Sequence, residues 1–333
     1  MINRKSPDTT GNPQLLTSVQ ALRFLAALLV LFFHLGISKS GYKGVDLFFV
    51  ISGFTIYYAV SKYNGDDYVS LKRHFIVNRL TKIFLLYWAS LVVMFIVRPF
   101  PLNSKLIGTI LLIPGHNNIL GVSWSLSYEL YFYFLFYFFL LTPGRSGKTF
   151  FLATAIVVTS AVTILMVTPY SLRGKWVNFF AGQNLWQFLA GVLAAKVFLK
   201  SKKNNDSFVI TMFAISLILF LLVSVPFKAR ISNLVYGSIS FVIVLCSVLT
   251  EARFEQPVWL RKIVNSLGNA SYAIYLFSHP LIIVLIKQNM HRGLIVCTVI
   301  FVSLVINIFF ENPMLRFIRR KLKSIQVPPV QLK

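Results

Sequence analysis

Residues 18–37 read SVQALRFLAALLVLFFHLGI. An α-helix rises about 1.5 Å per residue, so a stretch of this length crosses a hydrocarbon core of about 30 Å. Two of its side chains are out of place in lipid, Arg23 and His34. An ionisable group at bilayer depth costs roughly 2.5–3.5 kcal/mol on insertion scales, so each needs a partner or a use.

The same pattern recurs outward from this stretch. Spans are predicted at 18–37, 45–60, 80–98, 122–142, 149–168, 177–198, 208–225, 231–250, 270–288 and 293–311. The second is short and contains Ser52 and Gly53, which suits an extended or tilted helix. The stretch 104–113 is apolar but too short to span and reads as interfacial or re-entrant. Residues 61–79 form the longest polar connection. The predicted fold is therefore all-α and integral to the membrane, with about ten transmembrane helices in one bundle. Residues 1–17 form a cytoplasmic tail, 18–311 the transmembrane domain and 312–333 a basic cytoplasmic tail. Composition agrees: 56 % hydrophobic, 13 % charged and a mean hydropathy of +0.73. A single soluble core of 333 residues does not hide that much apolar surface.

The net charge of +24 would suit a nucleic-acid binder if a soluble domain carried it. Here the cations sit in short connections between apolar runs, so no nucleic-acid partner is expected. Orientation and contact with membrane lipids explain them. Lys and Arg favour, roughly two to one, the connections that share a side with both termini, which places both termini in the cytoplasm. Cys246 and Cys297 lie in apolar runs and read as small core residues. No metal-ligand spacing and no cleavable signal peptide are evident.

Few acidic residues touch the spans. Asp8, Asp66, Asp67, Asp206, Glu251 and Glu255 fall in the tail or loops. Asp46 opens the second span, where it reads as a helix N-cap. Glu129 lies inside the fourth, with Ser125 four residues earlier on the same face. Glu311 closes the tenth, beside Arg316. Among the histidines, His34 and His279 are in spans, while His74, His116 and His291 read as solvated surface. Depth then sorts the groups. His34 follows Arg23 by eleven positions, about 16 Å along a helix. It falls in the outer half, as do Asp46 and Glu129, and His279 sits near the middle of the ninth span. Arg23, Arg79 and Lys82 mark the inner end. Each has a plainer role available: Arg23 snorkelling to the interface, Arg79 and Lys82 fixing topology. Tyr272, Tyr275 and His279, at i, i+3 and i+7, form a polar stripe that packs inward or lines a path.

Four segments, in order, resemble the acyltransferase 3 family of membrane O-acyltransferases that modify bacterial surface glycans. Arg23 followed after ten residues by His34 is similar to its opening signature. Gly44-Val45-Asp46-Leu47-Phe48-Phe49-Val50-Ile51-Ser52-Gly53-Phe54 resembles the second closely. Ser123-Trp124-Ser125-Leu126-Ser127-Tyr128-Glu129 and the run Leu267–His279 resemble the later two. The family's paired arginines, an aliphatic residue and a proline are represented by Arg79, Lys82 and Leu85. Lys82 keeps the charge without the bidentate fork.

The resemblance implies transfer of an acyl group, most simply acetyl from acetyl-CoA, to a sugar hydroxyl of a surface polysaccharide or lipid-linked precursor, in a bacterial cytoplasmic membrane. His34 is then the candidate general base, or the carrier of a covalent acyl group. Asp46 or Glu129 orients its ring. Arg23, Arg79 and Lys82 hold the phosphates of the acyl-CoA, with Ser52, Tyr272, Tyr275 and His279 in support. The chain ends soon after the tenth span, so no fused hydrolase-like domain is expected. The same buried charges would also suit a glycan or small-anion transporter or flippase, but no paired half-repeat accompanies them.

Overall fold

The computed structural model describes residues 16–61, 68–100, 105–115, 119–139, 175–180, 184–201, 206–223, 232–251 and 256–324. Their regular structure is entirely helical. In chain order the helices are α1 (Thr17–His34), α2 (Gly44–Ser61, entered through a 3-10 turn at Gly41–Lys43), α3 (Tyr68–Val97), α4 (Lys105–Ile110) and α5 (Trp124–Phe139). Then come α6 (Lys175–Phe180), α7 (Asn184–Lys200), α8 (Asp206–Leu222), α9 (Ser232–Glu251) and α10 (Val258–Lys287). The last are α11 (Arg292–Ile306), a π-turn (Asn307–Glu311) and α12 (Asn312–Ser324). Among the described residues, six stretches are long and apolar enough to cross a membrane: Thr17–His34, Gly41–Ser61, Leu71–Val97, Ser232–Glu251, Val258–Lys287 and Arg292–Ile318. The chain is thus a multi-pass membrane protein. The predicted spans 122–142, 177–198 and 208–225 appear as α5, α6 with α7, and α8, which are shorter. The span at 149–168 lies outside the described residues.

Helix α1 is packed against α2, α9 and α10. Its N-terminus has no local cap, since Leu16 stands there. Glu251, expected in a loop, instead ends α9 and accepts from the N–H groups of Thr17 and Ser18 at 2.7 and 2.8 Å. A carboxylate at that end satisfies orphan donors and opposes the helix dipole. At the other end Gly36, at φ +66°, closes the helix and leaves His34 as its last residue. Helix α2 lies directly on α7 because Gly53 meets the main chain of Phe188 and Gly191 meets that of Val50 and Phe54. A side chain at either glycine would overlap backbone, and small residues are what lets helices approach this closely in lipid.

Two helices are longer than predicted. The connection expected at 61–79 is helical from Tyr68. Its aromatic face explains this: the ring of Phe75 packs 5.3 Å from Phe136 and 6.0 Å from Tyr133, while the Lys72 ammonium lies over Tyr137. Helix α10 likewise starts at Val258 rather than near 270. Beyond α3, the stretch expected to be interfacial or re-entrant makes the short α4 and a turn with Leu112 at φ +57°. Neighbouring side chains satisfy its carbonyls. Tyr87 donates to Thr109 O, Trp88 to Ile110 O and Ser127 to Leu112 O. Irregular backbone in an apolar setting survives only with such partners. Lys43, in the connection between the predicted spans 18–37 and 45–60, is buried and donates through Nζ to the carbonyl of Leu221 at 3.0 Å, at the end of α8.

The chain does not stop being helical at 311. The π-turn carries α11 into α12, and Pro313 falls in the first turn of α12, where its missing N–H is tolerated. The turn aims Glu311 into the bundle at 2 % exposure, while Phe309, two residues earlier, is 76 % exposed.

Candidate active site

The ionisable side chains gather at the two ends of α1. One group surrounds Arg23. Its guanidinium donates to Gln20 Oε1 at 3.5 Å, and it lies in the electrostatic field of Glu311, Glu129 and Arg79. Lys82, on α3, shares the same neighbours. The Arg79 guanidinium packs over the rings of Tyr133 and Phe75, at 5.7 and 5.9 Å. Glu129 accepts from the Tyr133 hydroxyl and, at 3.4 Å, from Ser52. Helices α1, α2, α3, α5 and the π-turn thus bring together Arg23, Arg79 and Lys82 with the carboxylates Glu129 and Glu311.

Depth along the fourth span predicts Glu129 in the outer half, with His34. The structure sets it among the cations instead. Position along one helix reports depth only when the helix runs straight and begins where expected, and α5 is short and preceded by turns.

Glu311 is the residue that sequence reasoning assigned elsewhere. Its place in the sequence predicts a partner in Arg316 at the inner interface. Arg316 in fact donates to Asn312 O, and Glu311 accepts from Asn307 Nδ2 at 2.7 Å. Asn307 also donates to Asn269 O and accepts from Asn312, and Asn269 accepts from Gln20 at 2.6 Å. These amides run from Arg23 through Gln20 to the π-turn. The signal was present: Asn307, Glu311 and Asn312 interrupt an otherwise apolar run.

The second group lies at the His34 end. His34 Nδ1 donates to Val30 O at 2.8 Å. The ring centre of His279, from α10, lies 6.4 Å away. His279 Nδ1 accepts from the N–H of Gly121 at 3.4 Å, and Arg98 acts on it electrostatically. The two in-span histidines are therefore neighbours, although the sequence places them at different depths.

Asp46 is not an N-cap, because the 3-10 turn leads into α2 ahead of it. Its buried carboxylate accepts from Gln187 Nε2 of α7, and the same nitrogen donates to Asn233 O. Neither carboxylate is the hydrogen-bond partner of the His34 ring; the Val30 carbonyl is. The tyrosine stripe ties α10 to its neighbours. Tyr272 donates to Ile83 O at 3.0 Å, and Tyr275 to Val122 O at 2.7 Å, with Ser125 at the same hydroxyl. His116 lies outside the described residues.

Comparison with known proteins follows the same lines. A Staphylococcus aureus protein carrying the provisional name of an O-acetyltransferase is 24 % identical over 90 % of this chain and 56 % of its own length. The peptidoglycan O-acetyltransferase OatA of Listeria monocytogenes is 24 % identical over 80 % of this chain and 49 % of its own. The exopolysaccharide production protein ExoZ of Rhizobium meliloti is 27 % identical over 76 % and 80 %. The chain spans about half the length of the first curated relatives it matches. No solved structure matches. A family model described as an acyltransferase domain matches residues 16–311, which takes in both groups of side chains, and the chain belongs to the acyltransferase 3 family.

Proposed function

We propose that this protein is a membrane O-acyltransferase that moves an acyl group, acetyl from acetyl-CoA, to a sugar hydroxyl of a surface polysaccharide or its lipid-linked precursor. The observation that carries this reading is the sorting of charge along α1, with Arg23, Arg79 and Lys82 at one end and the His34–His279 pair at the other. Coenzyme A is built for such a path, with phosphates at one end and a thioester on a long flexible arm. The cations suit the phosphates. The arm then spans the roughly 16 Å of α1 that separate Arg23 from His34. Two relatives named for peptidoglycan and for an exopolysaccharide point to a glycan acceptor.

His34 is the general base. The Val30 carbonyl can only accept, so Nδ1 carries the proton and Nε2 keeps the lone pair that takes a hydroxyl proton. Glu129 and Glu311 offset the charge of the cations and hold them in place, with Ser52 and Tyr133 holding Glu129. Asp46 acts through Gln187 to fix α2 against α7. The test is direct: membranes containing the protein should release CoA thiol from acetyl-CoA when a glycan acceptor is added, and no release with any acceptor would sink the proposal.

Lys82→Ala should raise the apparent KM for acetyl-CoA roughly ten- to a hundredfold, the worth of one charge-assisted hydrogen bond. Lys82→Arg should be tolerated. An unchanged KM with collapsed turnover would give Lys82 another role.

Within this reading the donor arrives from the cytoplasm and both termini lie there, with about ten spans in a bacterial inner membrane. Reporters fused after Lys203 and after Lys323 should both read as cytoplasmic, and one within 168–175 as external. An external C-terminus would overturn this orientation and the order of depths built on it.

A further inference from the structure

The two neighbouring histidines carry their protons on opposite ring nitrogens. His34 donates from Nδ1, so its Nε2 is bare. Gly121 N–H can only donate, so the His279 Nδ1 that receives it is bare, and the proton of that ring sits on Nε2. One ring thus offers an acceptor and the other a donor, with ring centres 6.4 Å apart. At that separation, with the rings tilted 50° to each other, both lie within reach of a single reacting group. Both rings are only half-buried, which leaves them accessible.

From this we propose that His279 is a second catalytic residue, whose Nε2–H holds the carbonyl oxygen of the acyl group while His34 handles the proton. The inference rests on the acyl-transfer reading above. In the step, a lone pair of the sugar hydroxyl attacks the thioester carbonyl carbon and the hydroxyl proton passes to His34 Nε2. The carbonyl π pair moves to oxygen, where His279 Nε2–H stabilises it. The C=O bond then re-forms, the C–S bond breaks, and the departing thiolate takes the proton back from His34. The products are the O-acyl sugar and CoA thiol, and both rings regain their starting tautomers. Arg98 adds positive potential beside His279, which favours negative charge on that oxygen.

A neutral donor is enough for this role, and that makes it testable. A glutamine amide reaches about where Nε2 stands and offers an N–H without being able to titrate, whereas alanine and leucine offer none. Membranes carrying wild type, His279→Gln, His279→Ala and His279→Leu would be given radiolabelled acetyl-CoA. Ester-linked label in the glycan fraction would be measured, with the thermal unfolding of each purified protein alongside. His279→Ala and His279→Leu should lose about 10²–10³-fold in turnover, the usual effect of deleting one oxyanion donor, with the KM for acetyl-CoA unchanged. His279→Gln should recover most of that loss. Full turnover in His279→Ala with an active wild type overturns the inference. So does His279→Gln as inactive as His279→Ala at equal thermal stability. An inactive wild type overturns the proposed function, and this inference with it.

Discussion

His34→Ala should abolish detectable acyl transfer while the protein still inserts and accumulates. Loss of a positioned acid–base group typically costs about 10²–10⁴-fold in rate, or ~3–5 kcal/mol of barrier. His34 ends α1, its ring is only half-buried, and its hydrogen bond runs to the Val30 carbonyl one turn back. Truncation therefore removes a ring on which no distant element among the described residues depends for a hydrogen bond, and the effect should be chemical. The check is the ester-linked acetate content of surface glycans from cells expressing wild type or variant at matched protein levels. Glycan acetylated to the wild-type level by the variant would remove His34 from the mechanism.

The second large effect should fall on stability. Glu311→Leu removes the buried carboxylate and leaves the half-buried Arg23, Arg79 and Lys82 with Glu129 as the remaining carboxylate of this group among the described residues. Removing one partner from a buried charge network typically costs ~3–5 kcal/mol, because the remaining charges lose their compensation. The purified protein in detergent should unfold at a clearly lower temperature. Glu311→Gln should fall in between, since an amide oxygen still accepts from Asn307 but carries no charge. Equal unfolding midpoints for wild type and Glu311→Leu would show that Glu311 does not compensate these cations.

These expectations draw unequally on the chain. Arg23, His34 and Glu129 announce themselves because a charged group inside an apolar run is costly wherever it ends up. Glu311 did not, because a carboxylate at the end of a span reads equally well as an interfacial residue beside the next arginine. Only the π-turn, which rotates the helix by an extra residue, decides that it faces inward. Asp46 was read locally as a cap, and its partner Gln187 lies 141 positions away. Glu251 was read as a loop residue for a similar reason, although it caps a helix 234 positions earlier in the chain.

What the sequence determined by itself is what depends on local composition: a helical, multi-pass membrane protein, the in-span ionisable residues and the family signatures. Apolar runs of about twenty residues have essentially one solution in lipid, because every backbone group must be satisfied within its own segment. Which side chains meet is a different kind of fact. Glu129 joined the cations, and His279 joined His34, through helix lengths, turns and crossings that no single segment encodes. The close crossing of α2 on α7 at Gly53 and Gly191 is one of those decisions. Tyrosine bonds from α10 to the backbone at Ile83 and Val122 are another, and they hold the helix that carries His279. Helix formation is satisfied over four residues, whereas a site is satisfied only when several helices have packed, and packing belongs to the tertiary structure.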